Sequence, residues 1–378
     1  MEFRNQTIFI ISYEGWGEMW MSKHHYAFTL SQMGNDVYFI NHPDLRKELN
    51  RGQIKVIPTG YNNLTQVKHR LIYPFFLKFS SNRLYNFLTS LHIKRIIRHI
   101  GKHPDIVWSF DSGNPTPIKY FKKAPIKIYM PVDGPFGHIY ELKAAEGANV
   151  ILSVTNEILS TFLSLPIPKY KLSHGVSGFF IDTAKVLNPN KQIRIGYSGS
   201  LIRNDLDIDV FFKIINDHPD KIFEFWGEID HTKSNIHLEY HVQKETLEII
   251  ETLRNTKNVI LHGAVKPEVL AEGIKKMDAL LICYKIKNDQ NHHKVLEYLG
   301  TGKVIISSYM TSYDNENSSL MVMAGNGENE KIPSLFNEVM NNLDDYNSLH
   351  LQQKRISFAE QFTYQSQINK IESYLNQL

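Results

Sequence analysis

Short β-branched runs alternate with helix-patterned segments along almost all of this 378-residue chain, and they do so in two series. The first series predicts strands at Thr7–Ser12, Asp36–Ile40, Ile54–Pro58, Ile106–Phe110, Lys127–Pro131 and Val150–Val154. The second predicts strands at Arg194–Ser198, Ile222–Trp226, Val259–His262, Ala279–Cys283 and Val304–Ser307. Strands separated by helices are joined by crossovers, and crossovers make parallel sheets, so each series reads as an α/β domain. Between them lies KVLNPNKQ, Lys185 to Gln192, with the Asn-Pro-Asn composition of an exposed connection. The expectation is two Rossmann-like, doubly wound domains: residues 1–186, a linker at 187–192, and residues 193–356. A terminal helical region at 357–378 follows and could return to the first domain. A hydrophobic content of 42% supplies apolar material for two cores. The arrangement predicts an interdomain cleft in which the carboxyl ends of both sheets face one ligand.

The net charge of +3 conceals an asymmetry. Residues 1–190 carry 22 lysines and arginines against 13 acidic residues, and the remainder carries 20 against 26. The excess is concentrated between Leu49 and Pro104, where no acidic residue occurs. Arg51, Lys55, Lys68, Arg70, Lys78, Arg83, Lys94, Arg95, Arg98 and Lys102 all lie there, interleaved with leucines and aromatics. Such a segment attracts anionic surfaces, and residues 49–104 are a candidate face for an anionic membrane or, equally, an amphipathic helix pair with a solvated basic side. No nucleic-acid recognition module is present, so nucleic acid is not an expected partner. A single cysteine, Cys283, sits in an apolar run, which fits a reducing, cytoplasmic setting. The N-terminus reads as a first strand and not as a signal peptide, and no apolar run reaches bilayer-spanning length.

The segment NHHKVLEYLGTGKVI, Asn291 to Ile305, places Lys294 in the first turn of a helix N-capped by Asn291, with Glu297 one turn on. A helix N-terminus with a lysine suits a diphosphate, and a carboxylate one turn deeper can accept hydrogen bonds from vicinal hydroxyls. A surface helix with an i, i+3 ion pair is the alternative. The start of the second series, IRIGYSGSLIRNDLDIDVF, runs a strand into Gly196, Ser198, Gly199 and Ser200, small residues that let backbone approach a phosphate. Arg203 follows at the expected mouth of the next helix, where its fork could hold the same diphosphate. The spacing is not that of a nicotinamide-binding loop.

Together GYSGSLIR, NVILHGAVKPEVLAEGIKKMDALLICYK and HHKVLEYLGTGKVIISS, in that order, resemble the GT-B glycosyltransferases, in particular family four and its group-1 relatives. The resemblance is close over about residues 190–310 and loose in the first domain. It implies a GT-B fold in which Glu297 binds the ribose of a nucleotide, with Lys294, Arg203, Gly199 and the helix amides at the diphosphate. The base would lie near Gly263, Ala264 and Val265. Asp289 stands where the family often has a glutamate that contacts the transferred sugar. No lysine follows Arg203, which departs from the family pattern. In the first domain, Asp133 in VDGPFGH occupies a position resembling one where the family carries a polar active-site residue, with His138 five residues later. Asp133 could orient an acceptor hydroxyl or take its proton, or simply form an Asp-Gly-Pro turn. Asp111 is a weaker candidate of the same kind, and His174 with Gly175 matches the family's hinge-side motif with His in place of its Asn. Trp16, Trp20, Lys23 and His24 either line the cleft or pack beneath it.

The Asp-x-Asp of DLDID, Asp205 to Asp209, is read as helix capping and not as a metal site. His241, His262 and His292 lack the spacing of metal ligands. The expected cofactor set is therefore empty, with no essential metal and a nucleotide sugar as donor substrate. The expected activity is transfer of a sugar from that donor to a saccharide or polyprenyl-diphosphate-linked acceptor in cell-surface polysaccharide biosynthesis, with retention of configuration. The protein would act in the cytoplasm, peripherally at the inner face of the plasma membrane. A non-hydrolysing UDP-sugar 2-epimerase and a non-catalytic saccharide- or membrane-binding protein of the same fold are the alternatives.

Overall fold

The structure is a computed structural model describing residues 2–377, except 75–76, 133–137, 187–191, 230–243, 286–292 and 315–317. Side chains are also left undescribed at 79, 80, 82, 138–140 and 318. The chain forms two compact units. One comprises Met1–Ser173 with the returning segment Tyr364–Leu378, and the other lies between His174 and Thr363.

The first unit runs β1 (Thr7–Ile11), α1 (Ser22–Gln32), β2 (Asp36–Ile40), β3 (Ile54–Pro58), β4 (Leu64–His69), α2 (Leu77–Ser80), α3 (Asn82–Ile100), β5 (Ile106–Ser109) and β6 (Ile126–Tyr129). It continues through α4 (His138–Ala144), β7 (Val150–Ser153), α5 (Asn156–Ser160) and β8 (Lys169–Lys171). Its sheet has the order β3-β4-β2-β1-β5-β6-β7-β8. Only the β3–β4 hairpin is antiparallel, turning through Gly60 and Asn63 at positive φ. The central strands IVWS of β5 and VILS of β7 are buried at every residue, as a parallel sheet covered on both faces requires.

The second unit contains β9 (Arg194–Ser198), α6 (Ile208–Asp217), β10 (Ile222–Trp226), α7 (Lys244–Asn255), β11 (Val259–Gly263), α8 (Pro267–Ile274), β12 (Ala279–Ile282), α9 (His293–Gly300) and β13 (Val304–Ser307). It ends with β14 (Val322–Met323), α10 (Ile332–Asn341), α11 (Leu343–Tyr346) and α12 (Leu349–Glu360), after which α13 (Tyr364–Leu375) belongs to the first unit. The sheet order β11-β10-β9-β12-β13-β14 is parallel throughout.

The division between units falls ahead of the expected linker, of which 187–191 lie outside the described residues. The reason is the packing of the segment after His174. Val176 N–H donates to Phe362 C=O at 2.9 Å, Asp182 N–H donates to Gly300 C=O at 2.9 Å, and Phe180 enters the second core. The return comes after α12 and not at 357, because Arg355 is buried in the second unit and donates to the carbonyls of Leu320 and Gly302, both at 3.0 Å. Tyr364, Ile368, Ile371 and Leu375 of α13 complete the first core.

Candidate functional site

In an open parallel sheet, ligands bind beyond the carboxyl ends of the strands where the winding reverses. In the second unit β9 is followed by β10 on one side, while β12 pairs on its other side, so the reversal lies between β9 and β12. Three strand-end loops are tied together there. Gly199 N–H donates to Trp226 C=O, Leu201 N–H to Glu228 C=O, and Gly227 N–H to Gly263 C=O, each at 2.8 Å. Gly199 has φ +143°, and a Cβ on it would come within 2.8 Å of the Tyr197 hydroxyl and collide with the Lys294 ammonium. Gly227, at φ +135°, lies against the Gly199 backbone so closely that it too admits no side chain. These glycines are required by the approach of two backbones and one ammonium to a single point.

Lys294 and Glu297 stand on α9, and both are buried, together with Val295, Leu296, Tyr298 and Leu299. The surface-helix alternative is therefore removed. Lys294 Nζ donates to Ser198 C=O at 2.8 Å and to the Tyr284 hydroxyl, and it lies 4.8 and 5.2 Å from the ring centres of Tyr197 and Tyr284. The Tyr298 hydroxyl accepts the Ser198 N–H at 2.6 Å, which fixes the strand end against the helix. Burial lifts the Glu297 carboxyl from 4.5 to about 7, with the Lys294 ammonium pulling the other way. Lys294 is thus a buried cation whose hydrogen-bond partners, among the described residues, are neutral oxygens.

Arg203 does not stand at a helix mouth, since α6 begins only at Ile208. Its guanidinium grips Asp205 with both prongs, Nε to Oδ1 at 2.7 Å and Nη2 to Oδ2 at 2.5 Å, and its carbon lies 5.2 Å from the Tyr284 ring centre. The pairing with Asp205 holds the guanidinium firmly charged. Asp207 occupies the N-cap of α6 but makes no side-chain cap; its Oδ2 instead accepts the Asn329 amide at 2.7 Å. Among the described residues no group of three or more His, Cys, Asp or Glu is placed to hold a metal. Gly263 closes β11 with φ +71°, beside Trp226, on which the His262 ring stacks at 4.6 Å. His174 opens the second unit with its ring 6.1 Å from that of His293.

Asp133, Asp289, Asn291, His241 and His292 lie outside the described residues, and His138 is described only as the backbone start of α4. In the first unit the aromatic loop after β1 is a packed cluster. Trp16 lies 5.0 Å from Trp20 and 5.1 Å from Phe39, and Trp20 lies 5.5 Å from Phe28. Lys23 is buried in an ion pair with buried Glu14. His24 accepts the Met21 N–H at Nδ1, 3.1 Å, so its Nε2–H donates to Gly15 C=O at 3.0 Å. Burial depresses that imidazole to about 4, so it is a neutral structural clip. The tyrosines around Lys294 escaped sequence reading because a tyrosine inside a strand pattern carries no signal beyond packing.

No protein-family model matches the sequence, and no curated protein matches it. Solved structures do. The chain is similar to sucrose-phosphate synthase from Thermosynechococcus elongatus at 10% identity and TM-score 0.68, covering 98% of both chains. It is similar to Anabaena HepE in complex with UDP-glucose at 11% identity and TM-score 0.66, covering 99% of this chain and 100% of that one. A third likeness is to a trehalose-6-phosphate protein from E. coli bound with UDP-2-fluoro glucose, at 10% identity and TM-score 0.65, covering 98% of this chain and 99% of that one. The fold is GT-B, two parallel-sheet α/β domains in one chain.

Proposed function

We propose that this protein is a glycosyltransferase that uses a nucleotide sugar, most simply a UDP-sugar as carried by the structures it is similar to. The observation that carries the reading is Lys294. A buried ammonium with neutral hydrogen-bond partners is costly unless an anion joins it, and a diphosphate at the β9/β12 reversal supplies that anion. The close-packed glycine loops Gly199 and Gly227 let phosphate oxygens approach backbone, and Arg203 can share its charge from the Asp205 pair. Glu297, one turn along α9, receives the ribose hydroxyls. As the bond to the sugar breaks, negative charge grows on the leaving diphosphate, and Lys294 is already oriented to stabilise it. Transfer with retention, Asp289 at the transferred sugar, and Asp133 and His138 on the acceptor side belong to the same reading.

The acceptor is a saccharide or a lipid-linked saccharide of a cell-surface polymer, reached at a membrane. Support for the membrane comes from α3, whose solvent face carries Leu84 (45% exposed), Phe87 (61%) and Leu91 (36%), followed on the same stripe by Lys94 and Arg98. No helix among the described residues is long and apolar enough to cross a bilayer, so attachment would be by this face. The test is turnover of a UDP-sugar panel to UDP and free sugar, with and without added acceptors. One donor should be consumed by the wild type, and Lys294→Ala should slow it at least a hundredfold. Equal turnover by the variant would remove the reading.

A further inference from the structure

β12 ends at Ile282, and Tyr284 follows two residues later at the carboxyl edge of the second sheet, beside the reversal between β9 and β12. Its backbone is fixed on three sides. The N–H donates to the Ser308 hydroxyl at 2.7 Å, the C=O accepts the Asn329 amide at 2.8 Å, and an antiparallel bridge joins the residue to Leu206. The side chain is fully buried. A strand end held in this way gives its side chain one direction, and two cations meet that side chain.

The Tyr284 hydroxyl accepts a hydrogen bond from Lys294 Nζ at 2.5 Å, and the guanidinium carbon of Arg203 lies over the ring, 5.2 Å from its centre. A ring face attracts a guanidinium through its quadrupole, and a phenolic oxygen offers lone pairs to an ammonium, so one residue engages two charges with two different parts. Both cations keep donors in reserve. Lys294 spends one N–H on Ser198 C=O and one on Tyr284, which leaves a third. Arg203 spends Nε and Nη2 on Asp205, and its Nη1 makes no hydrogen bond among the described residues. Like charges gathered in a buried place repel, so a site with two cations needs a support that holds both before an anion arrives. Asp205 grips Arg203 alone; Tyr284 touches both.

We propose that Tyr284 is a positioning residue that makes Lys294 and Arg203 a single clamp, holding the two cations on one rigid post so that their remaining N–H groups close together on a diphosphate. This rests on the donor reading of the β9/β12 reversal and deepens it, since affinity for the diphosphate becomes a joint property of three side chains. Tyr284 itself acts through the cations and not on the substrate.

The experiment titrates UDP and inorganic pyrophosphate into the full chain by calorimetry and follows uridine by saturation-transfer NMR, which reads weak binding. Tyr284→Phe keeps the ring under Arg203 and deletes the oxygen that orients Lys294; it should weaken UDP and pyrophosphate about fivefold. Tyr284→Leu deletes both supports and should weaken them at least twentyfold. Uridine carries no phosphate and should bind all three proteins within twofold. Lys294→Met should cost UDP binding at least threefold less in the Tyr284→Leu background than in the wild type, because the clamp is already broken there. Uridine affinity falling in parallel with UDP would show that the residue only maintains the fold, and UDP affinity unchanged in Tyr284→Phe would show that the hydroxyl positions nothing; either result overturns the proposal. Should Tyr284→Leu not fold, Tyr284→Phe, which differs from the wild type by one oxygen, still decides it. The two readings also fail separately. UDP binding that needs Lys294 but not Tyr284 leaves the donor site standing and removes the clamp. Pyrophosphate binding that needs Tyr284, with no binding of UDP or uridine, supports the clamp and removes the nucleotide-sugar reading.

Discussion

Lys294 and Glu297 share one turn of helix and one buried environment, and each makes a separate prediction. Burial holds the Glu297 carboxyl near 7 in the folded chain against 4.5 when unfolded. Below about pH 4.5 both states are protonated. As pH rises toward 7 the unfolded state releases its proton while the folded state keeps it, so stability falls across that window, by roughly 3 kcal/mol in total. Glu297→Gln should abolish this slope, leaving the denaturation midpoint unchanged at pH 4 and raised at pH 8. A variant no more stable than wild type at pH 8 would show that the carboxylate is accommodated without strain. Gly199→Ala tests the backbone approach: at φ +143° with the ammonium in the way, it should cost about 1 to 3 kcal/mol in chemical denaturation and weaken nucleotide binding too. The helical spacing made Lys294 and Glu297 readable in the sequence, because residues three apart must share a face. Asp111 was barely readable, since nothing in SFDSGNP says that its Oδ1 will accept the amides of Gly113 and Asn114.

Among elements, α3 makes the clearest claim. Its inner face is pinned by buried hydrogen bonds, His92 to His69 at 2.9 Å and Tyr73 to Thr89 at 2.5 Å, with Ile93 and Ile96 in the first core. Its outer stripe of Leu84, Phe87 and Leu91 is therefore held outward by the rest of the unit. Leu84→Glu with Phe87→Glu should lower partitioning onto vesicles with anionic lipid at least tenfold and leave the melting temperature unchanged. Equal sedimentation of variant and wild type would show that the stripe is not a membrane face. Most strands were legible because parallel strands buried on both faces read as continuous apolar runs, as in β1, β5 and β12. Three were not. β4, LTQVKH, has only two apolar residues, Leu64 and Val67, and forms the inner arm of the edge hairpin with β3; β8 is KYK; β14 is the two residues Val322 and Met323. Register with a neighbour, not composition, makes each of them a strand. The helix α6 starts within DLDID, with Asp207 at its N-cap, but Arg203 lies ahead of its mouth because Arg203 and Asp205 first form a turn of their own.

At the scale of the molecule, the proposed reading gives the two units different partners. The first carries the acid-free segment 49–104 and the Asp111 turn; the second carries the glycine loops and Lys294. Vesicle binding through the basic segment should weaken steadily between about 0.1 and 0.5 M salt, as screening shortens from ~10 Å, whereas a purely apolar attachment would not. Isothermal titration of UDP into the full-length protein and into Lys294→Met bears most directly on the central claim. The structure predicts that the wild type binds UDP and that the variant binds it at least a hundredfold more weakly while remaining folded. Equal affinity in the two proteins, or no binding by either, would contradict the assignment of the β9/β12 reversal as the donor site.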